Sequence, residues 1–164
     1  MSHEKTVERA IQATDRLLKE GYDFDMRILG DGAEYEKLRS MITEYNLNDR
    51  ITMYGRVSNP FPYMKYADWF LCPSSRESFA LTLLESITIG TPVVTTASGG
   101  PEDVVDHGKY GLLTENSLEG VYSGRKQVMD NPSLREHYLS KRVEYLSRFD
   151  YKKWLISVDK ILGV

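Results

Sequence analysis

Disulfide chemistry is missing from this chain. Its 164 residues include a single cysteine, Cys72, so no internal bridge can stand in for a hydrophobic core. One thiol without a partner fits a reducing compartment, and a cytoplasmic location is expected. No apolar run approaches the roughly 20 residues of a membrane-spanning helix, and no signal-peptide pattern opens the sequence. Charge of one sign is missing as well. The 21 Lys and Arg stand against 24 Asp and Glu, a net −3, and they are scattered. A nucleic-acid surface needs a basic stripe, so no nucleic-acid partner is expected. There is no internal repeat and no low-complexity linker. What remains is 41% hydrophobic and 27% charged, with 12 glycines and 6 prolines. That composition and length suit one soluble domain with a real core, and are too small for two large ones.

Periodicity predicts alternating elements. In "HEKTVERAIQATDRLLKEG" residues Val7, Ala10, Ile11, Thr14, Leu17 and Leu18 share one helical face, and Gly21 ends the helix. "FDMRILGDG" reads as a strand entering a glycine loop, and "AEYEKLRSMITEYNL" as a second amphipathic helix. "RITMYG" and "ADWFLCPS" are strand-length apolar runs. Beyond Phe79, Ala80, Leu83, Leu84 and Ile87 recur at helical spacing, and "PVVTTA" and "GLLT" supply further strands. From about Leu118 the tail reads as mostly helical. Strands are expected near 24–29, 51–55, 68–72, 92–97 and 111–114. Alternation of this kind predicts an α/β fold, a Rossmann-like three-layer sandwich with a parallel sheet covered on both faces. Ligands of such sheets bind beyond the carboxyl ends of the strands, where "GDG", "GRVSNP", "PSSRES" and "ASGGPED" lie.

Two carboxylates stand out in "SSRESFALTLLESITIGTPVV". Glu77 is expected just before a helix and Glu85 eight positions on. Eight helical residues rise roughly 12 Å and return to within about 80° of the same face. Between the two acids, a helix N-terminus would offer unpaired N–H groups that suit phosphate. Carboxylates accept from pairs of hydroxyls, so a ligand with hydroxyls at both ends and phosphate in the middle fits. A sugar nucleotide has that shape. A plainer role fits the spacing equally: Glu77 supports the helix dipole and Glu85 faces solvent.

The stretch "PSSRESFALTLLESITIGTPVVTTASGGPEDVVDHGKYGLL", with "RILGDGAEYEKL", "ITMYGRV" and "YMKYADWFLCPS" upstream, resembles the signature region of group-1 retaining glycosyltransferases of the GT-B fold. Their pattern is a strand ending in Pro-Ser, a Glu, seven residues and a second Glu. A Gly-x-Pro-Val-Val turn and a Gly-Gly loop with Pro-Glu follow, and the order of motifs holds over nearly the whole chain. The resemblance implies one half of a GT-B enzyme, the C-terminal domain that binds a nucleotide-diphosphate sugar. It assigns sugar contact and a catalytic, orienting role to Glu77, and the ribose hydroxyls to Glu85. It assigns the diphosphate to the backbone of Ser78, Phe79, Ala80 and Leu81, and the base to Gly55, Arg56 and Val57. The end of "MSHEK" aligns with an Arg-Leu-x-x-x-Lys element whose cations neutralise diphosphate, so Lys5 matches its lysine. The matching arginine, the domain's first strand and the acceptor-binding N-terminal domain would then lie upstream of Met1, and the isolated chain would not transfer sugar. No metal or other cofactor is implied. Peripheral association of the full enzyme with the inner membrane face is compatible with the family. A stand-alone, non-catalytic nucleotide-binding module is the alternative.

Other motifs point less far. Asp23 and Asp25 in "DFD" mimic a metal-binding Asp-x-Asp, but no third ligand is near in sequence. "GDG" at Gly30–Gly32 falls short of the G-x-G-x-x-G dinucleotide fingerprint, which argues against an NAD-dependent oxidoreductase, and a tight strand-to-helix turn explains it. Cys72 reads as a small core residue and His107 as a loop residue. "GGPED" turns into a short helix and either approaches a donor or closes the turn.

Overall fold

The computed structural model describes residues 2–149. A short 3-10 turn, His3–Lys5, precedes α1 (Val7–Lys19), β1 (Met26–Leu29), α2 (Tyr35–Glu44), β2 (Ile51–Gly55) and α3 (Phe61–Lys65). Then come β3 (Phe70–Cys72), α4 (Leu81–Ile89), β4 (Val93–Thr96), α5 (Gly100–Val104) and β5 (Leu112–Thr114). Three helices follow, α6 (Leu118–Asp130), α7 (Ser133–Ser140) and α8 (Arg142–Ser147). Each expected strand is present, some one or two residues shorter, and the tail is helical as far as it is described. The rest of the expected helical tail, 150–164, lies outside the described residues. Helix α3 was not expected; its "FPYMK" is too short to show a period, and Pro60 and Pro62 pre-set its start.

All strand pairs are parallel, as the α/β reading requires, but they form two sheets. β1 pairs with β2, Met26 opposite Ile51. In the other sheet β4 lies between β3 and β5, with Phe70 opposite Val93 and Val94 opposite Leu112. The β-branched run of β4 explains its central place, for all four of its residues are buried. Its hydroxyls find acceptors across the seams: Thr95 Oγ1 donates to Cys72 O at 3.2 Å and Thr96 Oγ1 to Ser74 O at 2.5 Å.

The three layers are visible in the alternation of β3. Phe70 and Cys72 pack with Leu83, Ile87, Val104 and Tyr145 of α4, α5 and α8 on one face. Leu71, between them, points the other way and packs with Ala13 and Leu17 of α1 and Val121 of α6. The β1–β2 pair departs from the expected double cover. Met26, Ile28, Ile51 and Met53 face α1 and α2, whereas Arg27, Thr52 and Tyr54 on the opposite face are exposed. On that face the ring of Tyr63 from α3 leans on Tyr54, with centroids 4.8 Å apart. Arg27 and Thr52, polar side chains on that face, favour solvent there. Helix α1 spans the seam, since Ile11 belongs to the β1–β2 core and Leu17 to the core under β3.

Candidate functional site

Parallel pairing gathers the loops that follow β3, β4 and β5 at one end of their sheet. The loop after β3, from Pro73 to Ala80, dominates that end. At Glu77 it resumes sheet-like pairing past the end of the strands, forming a lone parallel bridge with Gly99. The Glu77 N–H donates to Ser98 O at 2.9 Å, and the Glu77 carbonyl accepts from Gly100 N at 2.8 Å. This close approach explains the Gly-Gly of "ASGGPED". A Cβ on Gly99 would lie 2.9 Å from Glu77 O, and one on Gly100 only 2.4 Å from Ser78 O. Glu102 completes the turn, its Oε2 accepting from Gly99 N at 2.8 Å. The "GGPED" segment therefore buttresses the Glu77 loop.

A second set of contacts straps this loop from the chain's first residues. Glu4 O accepts from Ser75 N at 2.8 Å and from Ser75 Oγ at 3.1 Å. Thr6 Oγ1 donates to Pro73 O at 2.5 Å. Between them Lys5 Nζ donates to Glu77 Oε2 and forms an ion pair with it. Two residues expected to serve one ligand are thus neighbours across 72 positions. Asn116, in the loop after β5, ties the strap together: its Oδ1 accepts from Arg9 at 2.7 Å and its Nδ2 donates to Ser75 O at 2.7 Å. Neither Thr6 nor Asn116 was a sequence candidate. The position of Asn116, just after a strand and beside the Ser117 cap of α6, is the signal that could have found it.

Helix α4 begins at Leu81, so its first turn sits directly after the loop. The N–H groups of Ser78, Phe79 and Ala80 have no acceptor among the described residues, while Leu81 N–H is engaged by Phe79 O at 2.9 Å. No side chain caps this end. The helix N-terminus therefore keeps open donors and its partial positive charge. Phe79 and Leu81 beside them are 59% and 58% exposed, far above the norm for such side chains. The expected geometry of the two glutamates needs correction. Residues 77–80 are not helical, because the bridge to Gly99 holds Glu77 extended. Glu85 is thus about one helical turn, roughly 6 Å of rise, along α4 and not two. It is half-buried, and no ion pair or side-chain hydrogen bond holds it among the described residues.

Gly55, Arg56 and Val57 lie at the carboxyl end of β2, where Gly30 N donates to Gly55 O at 2.7 Å. Arg56 is exposed. No hydrogen bond joins this segment to the Glu77 loop among the described residues. Gly30–Gly32 forms the expected turn, with Gly32 N donating to Asp31 Oδ1 at 2.7 Å. Asp23 and Asp25 share a face, as alternation requires, and both turn to Arg50, at 2.6 and 3.6 Å. Among the described residues no group of three or more His, Cys, Asp and Glu is placed to hold a metal. Cys72 is buried in the core under α4, and His107 lies in a turn with positive φ.

A strap that presents a lysine to a carboxylate, open amides at a helix start and a second carboxylate one turn on can together engage an anion flanked by hydroxyls. Comparison with known proteins bears on that arrangement. Residues 1–142 match the family model described as glycosyl transferases group 1. The 2-deoxystreptamine N-acetyl-D-glucosaminyltransferase of Niallia circulans is 29% identical over 153 residues, covering 91% of this chain and 39% of the relative. The N-acetyl-alpha-D-glucosaminyl L-malate synthase of Bacillus anthracis is 32% identical over 134 residues, 81% of this chain and 35% of the relative. The chain thus spans well under half the length of these relatives. Among solved structures, Anabaena HepE in complex with UDP and glucose superposes with a TM-score of 0.82 at 21% identity, over 99% of this chain and 46% of that one. The fold is shared with about half of that molecule.

Proposed function

The chain belongs to the group 1 glycosyl transferases, and from that premise we propose that it is the donor domain of a retaining hexosyltransferase. It binds a nucleotide-diphosphate sugar across the loop after β3 and the start of α4. The observation that carries this reading is the meeting of Lys5, Glu77 and the open amides of Ser78, Phe79 and Ala80 at one helix end. The amides and Lys5 take the diphosphate, whose charge grows as the sugar–phosphate bond breaks. Glu77 accepts from the sugar hydroxyls and orients the ring, and Glu85 accepts from the ribose. Gly55, Arg56 and Val57 flank the base. HepE was solved with UDP and glucose, which makes uridine nucleotides the first ligands to try.

The acceptor site and any further catalytic groups belong to a second domain. On this reading a cytoplasmic enzyme is expected, at the inner membrane face when the acceptor is a lipid. The acceptor, a glycan, lipid or small molecule, is set outside these residues.

Calorimetric titration of Glu77→Ala and Glu85→Ala with UDP and UDP-glucose tests the roles. Losing one partner of a charge-assisted hydrogen bond costs about 1.5–3 kcal/mol, roughly ten- to a hundredfold in affinity. Glu85→Ala should weaken both ligands by that factor. Glu77→Ala should weaken UDP-glucose and not UDP. Equal loss of both ligands in Glu77→Ala, or none in Glu85→Ala, returns these acids to a helix-supporting role.

A further inference from the structure

We propose that Lys5 and Glu77 compensate one another in the donor-free site, and that this pair makes the site prefer a nucleotide carrying a sugar over the bare nucleotide. The inference rests on the donor reading above and concerns what the two residues do to each other. Glu77 is the fixed member. Its N–H and carbonyl are both bonded to the Ser98–Gly100 segment, and its side chain is 16% exposed against 44% for Lys5. Lys5 is the mobile arm on a pinned base, because Glu4 O and Thr6 Oγ1 hold the backbone on either side of it to Ser75 and Pro73. The ammonium therefore meets the carboxylate without any rearrangement of the fold. No other cation shares the role among the described residues. Arg9 is turned to Asn116, and Arg76, though next in sequence, is exposed and makes no ion pair with Glu77.

A diphosphate that draws Lys5 away leaves the Glu77 carboxylate without its counter-charge and close to a new anion. A sugar on that diphosphate resolves the problem, since its hydroxyls donate to the carboxylate in place of the ammonium. A bare nucleoside diphosphate brings no such donor. It must either bind without Lys5 or strand Glu77. The same pair therefore favours release of the nucleoside diphosphate once its sugar has gone, as Lys5 returns to Glu77.

The test is a double-mutant cycle with UDP and UDP-glucose, titrated by calorimetry against wild type, E77Q, K5M and the double variant. Both substitutions roughly preserve side-chain size and leave the backbone bonds of Glu77 in place. E77Q should bind UDP about three- to fivefold more tightly than wild type, the range an incompletely buried ion pair allows, and UDP-glucose more weakly. In the K5M background most of the UDP gain should vanish. K5R, which restores the cation, should bring it back and guards against a fold-damaged K5M. An equal gain with and without a cation at position 5 would show the carboxylate repelling phosphate by itself, and overturns the pairing. An unchanged UDP affinity in E77Q, alongside a loss of UDP-glucose, also overturns it but leaves the donor reading standing. Failure of wild type to bind either nucleotide overturns both.

Discussion

Replacing Gly100 with Ala isolates what the Gly-Gly turn does for the site. The added methyl would sit 2.4 Å from Ser78 O, 2.7 Å from Ser78 C and 3.0 Å from Phe79 Cα. All three are main-chain atoms, so no side chain can swing away. Reaching even 3.0 Å from the oxygen needs a retreat of 0.6 Å, the difference between 3.0 and 2.4 Å, by one backbone or the other. Overpacking of this kind costs about 1–3 kcal/mol. Gly21→Ala is the matched control. Gly21 has φ +94° with open space around it, so alanine there suffers backbone strain alone, about 1–2 kcal/mol, at the far end of α1. The two variants should lose similar stability in urea unfolding. Only Gly100→Ala moves the open amides of Ser78 and Phe79, and displacements below 1 Å are enough to degrade a positioned site. UDP-glucose affinity should fall about tenfold or more in Gly100→Ala and stay at the wild-type value in Gly21→Ala. If Gly100→Ala binds as well as Gly21→Ala, the buttress does not align the site.

Three further outcomes are expected. Asn116→Ala should cut the tie between Arg9 and Ser75, lowering stability by about 0.5–1.5 kcal/mol and weakening UDP-glucose binding; thermal melting and calorimetry read the two effects. Arg125 is buried between α6 and α1 over the ring of Phe24, donating to Ala10 O at 2.9 Å and to Thr14 Oγ1 at 2.5 Å, and burial lowers its pKa to about 10. A cation depressed by folding binds protons more readily in the unfolded chain, so its penalty is complete below about pH 10 and lifts as pH rises through that value. Arg125→Met leaves Thr14 Oγ1 donating to Ala10 O; urea unfolding should find it at least as stable as wild type near pH 7, with that alkaline gain removed, and a large loss near pH 7 would refute the reading. Because Asp23 and Asp25 both face Arg50, chelation with EDTA should leave UDP-glucose affinity unchanged, and a loss restored by magnesium would refute a metal-independent donor site.

The fold was legible where physics is local. The β-branched "PVVTT" could hardly be anything but a buried strand, and the apolar face of α1 follows from period alone, as the burial of Ala10, Ile11, Thr14 and Leu17 shows. The bare face of β1 and β2 was also written in the sequence, in Arg27, Thr52 and Tyr54 at alternate positions. Strand–helix alternation, which predicts cover on both faces, is blind to that local pattern. Two separate sheets could not be read, because strand adjacency is a relation between distant segments. The same holds for the site. Spacing singled out Glu77 and Glu85, but counted the residues between them as helix, because nothing local in "ESFAL" says that Glu77 is bridged to Gly99.

What connects the legible motif to the hidden geometry is the main chain. The Glu77 loop is held by Ser98 O, Gly100 N and Glu4 O, backbone groups whose identity no side chain advertises. A sequence reveals such contacts only where they exclude side chains. Gly99 and Gly100 are that trace, since a Cβ at either would strike the backbone of Glu77 or Ser78. The paired glycines and the first glutamate are therefore two halves of one structural unit, although 22 positions separate Glu77 from Gly99. The strap from Glu4 to Thr6 leaves a fainter trace. It demands only a small hydroxyl at Thr6, a backbone carbonyl at Glu4 and a long cation at Lys5. Of those, the cation alone has a chemistry that a reader of sequence would stop at.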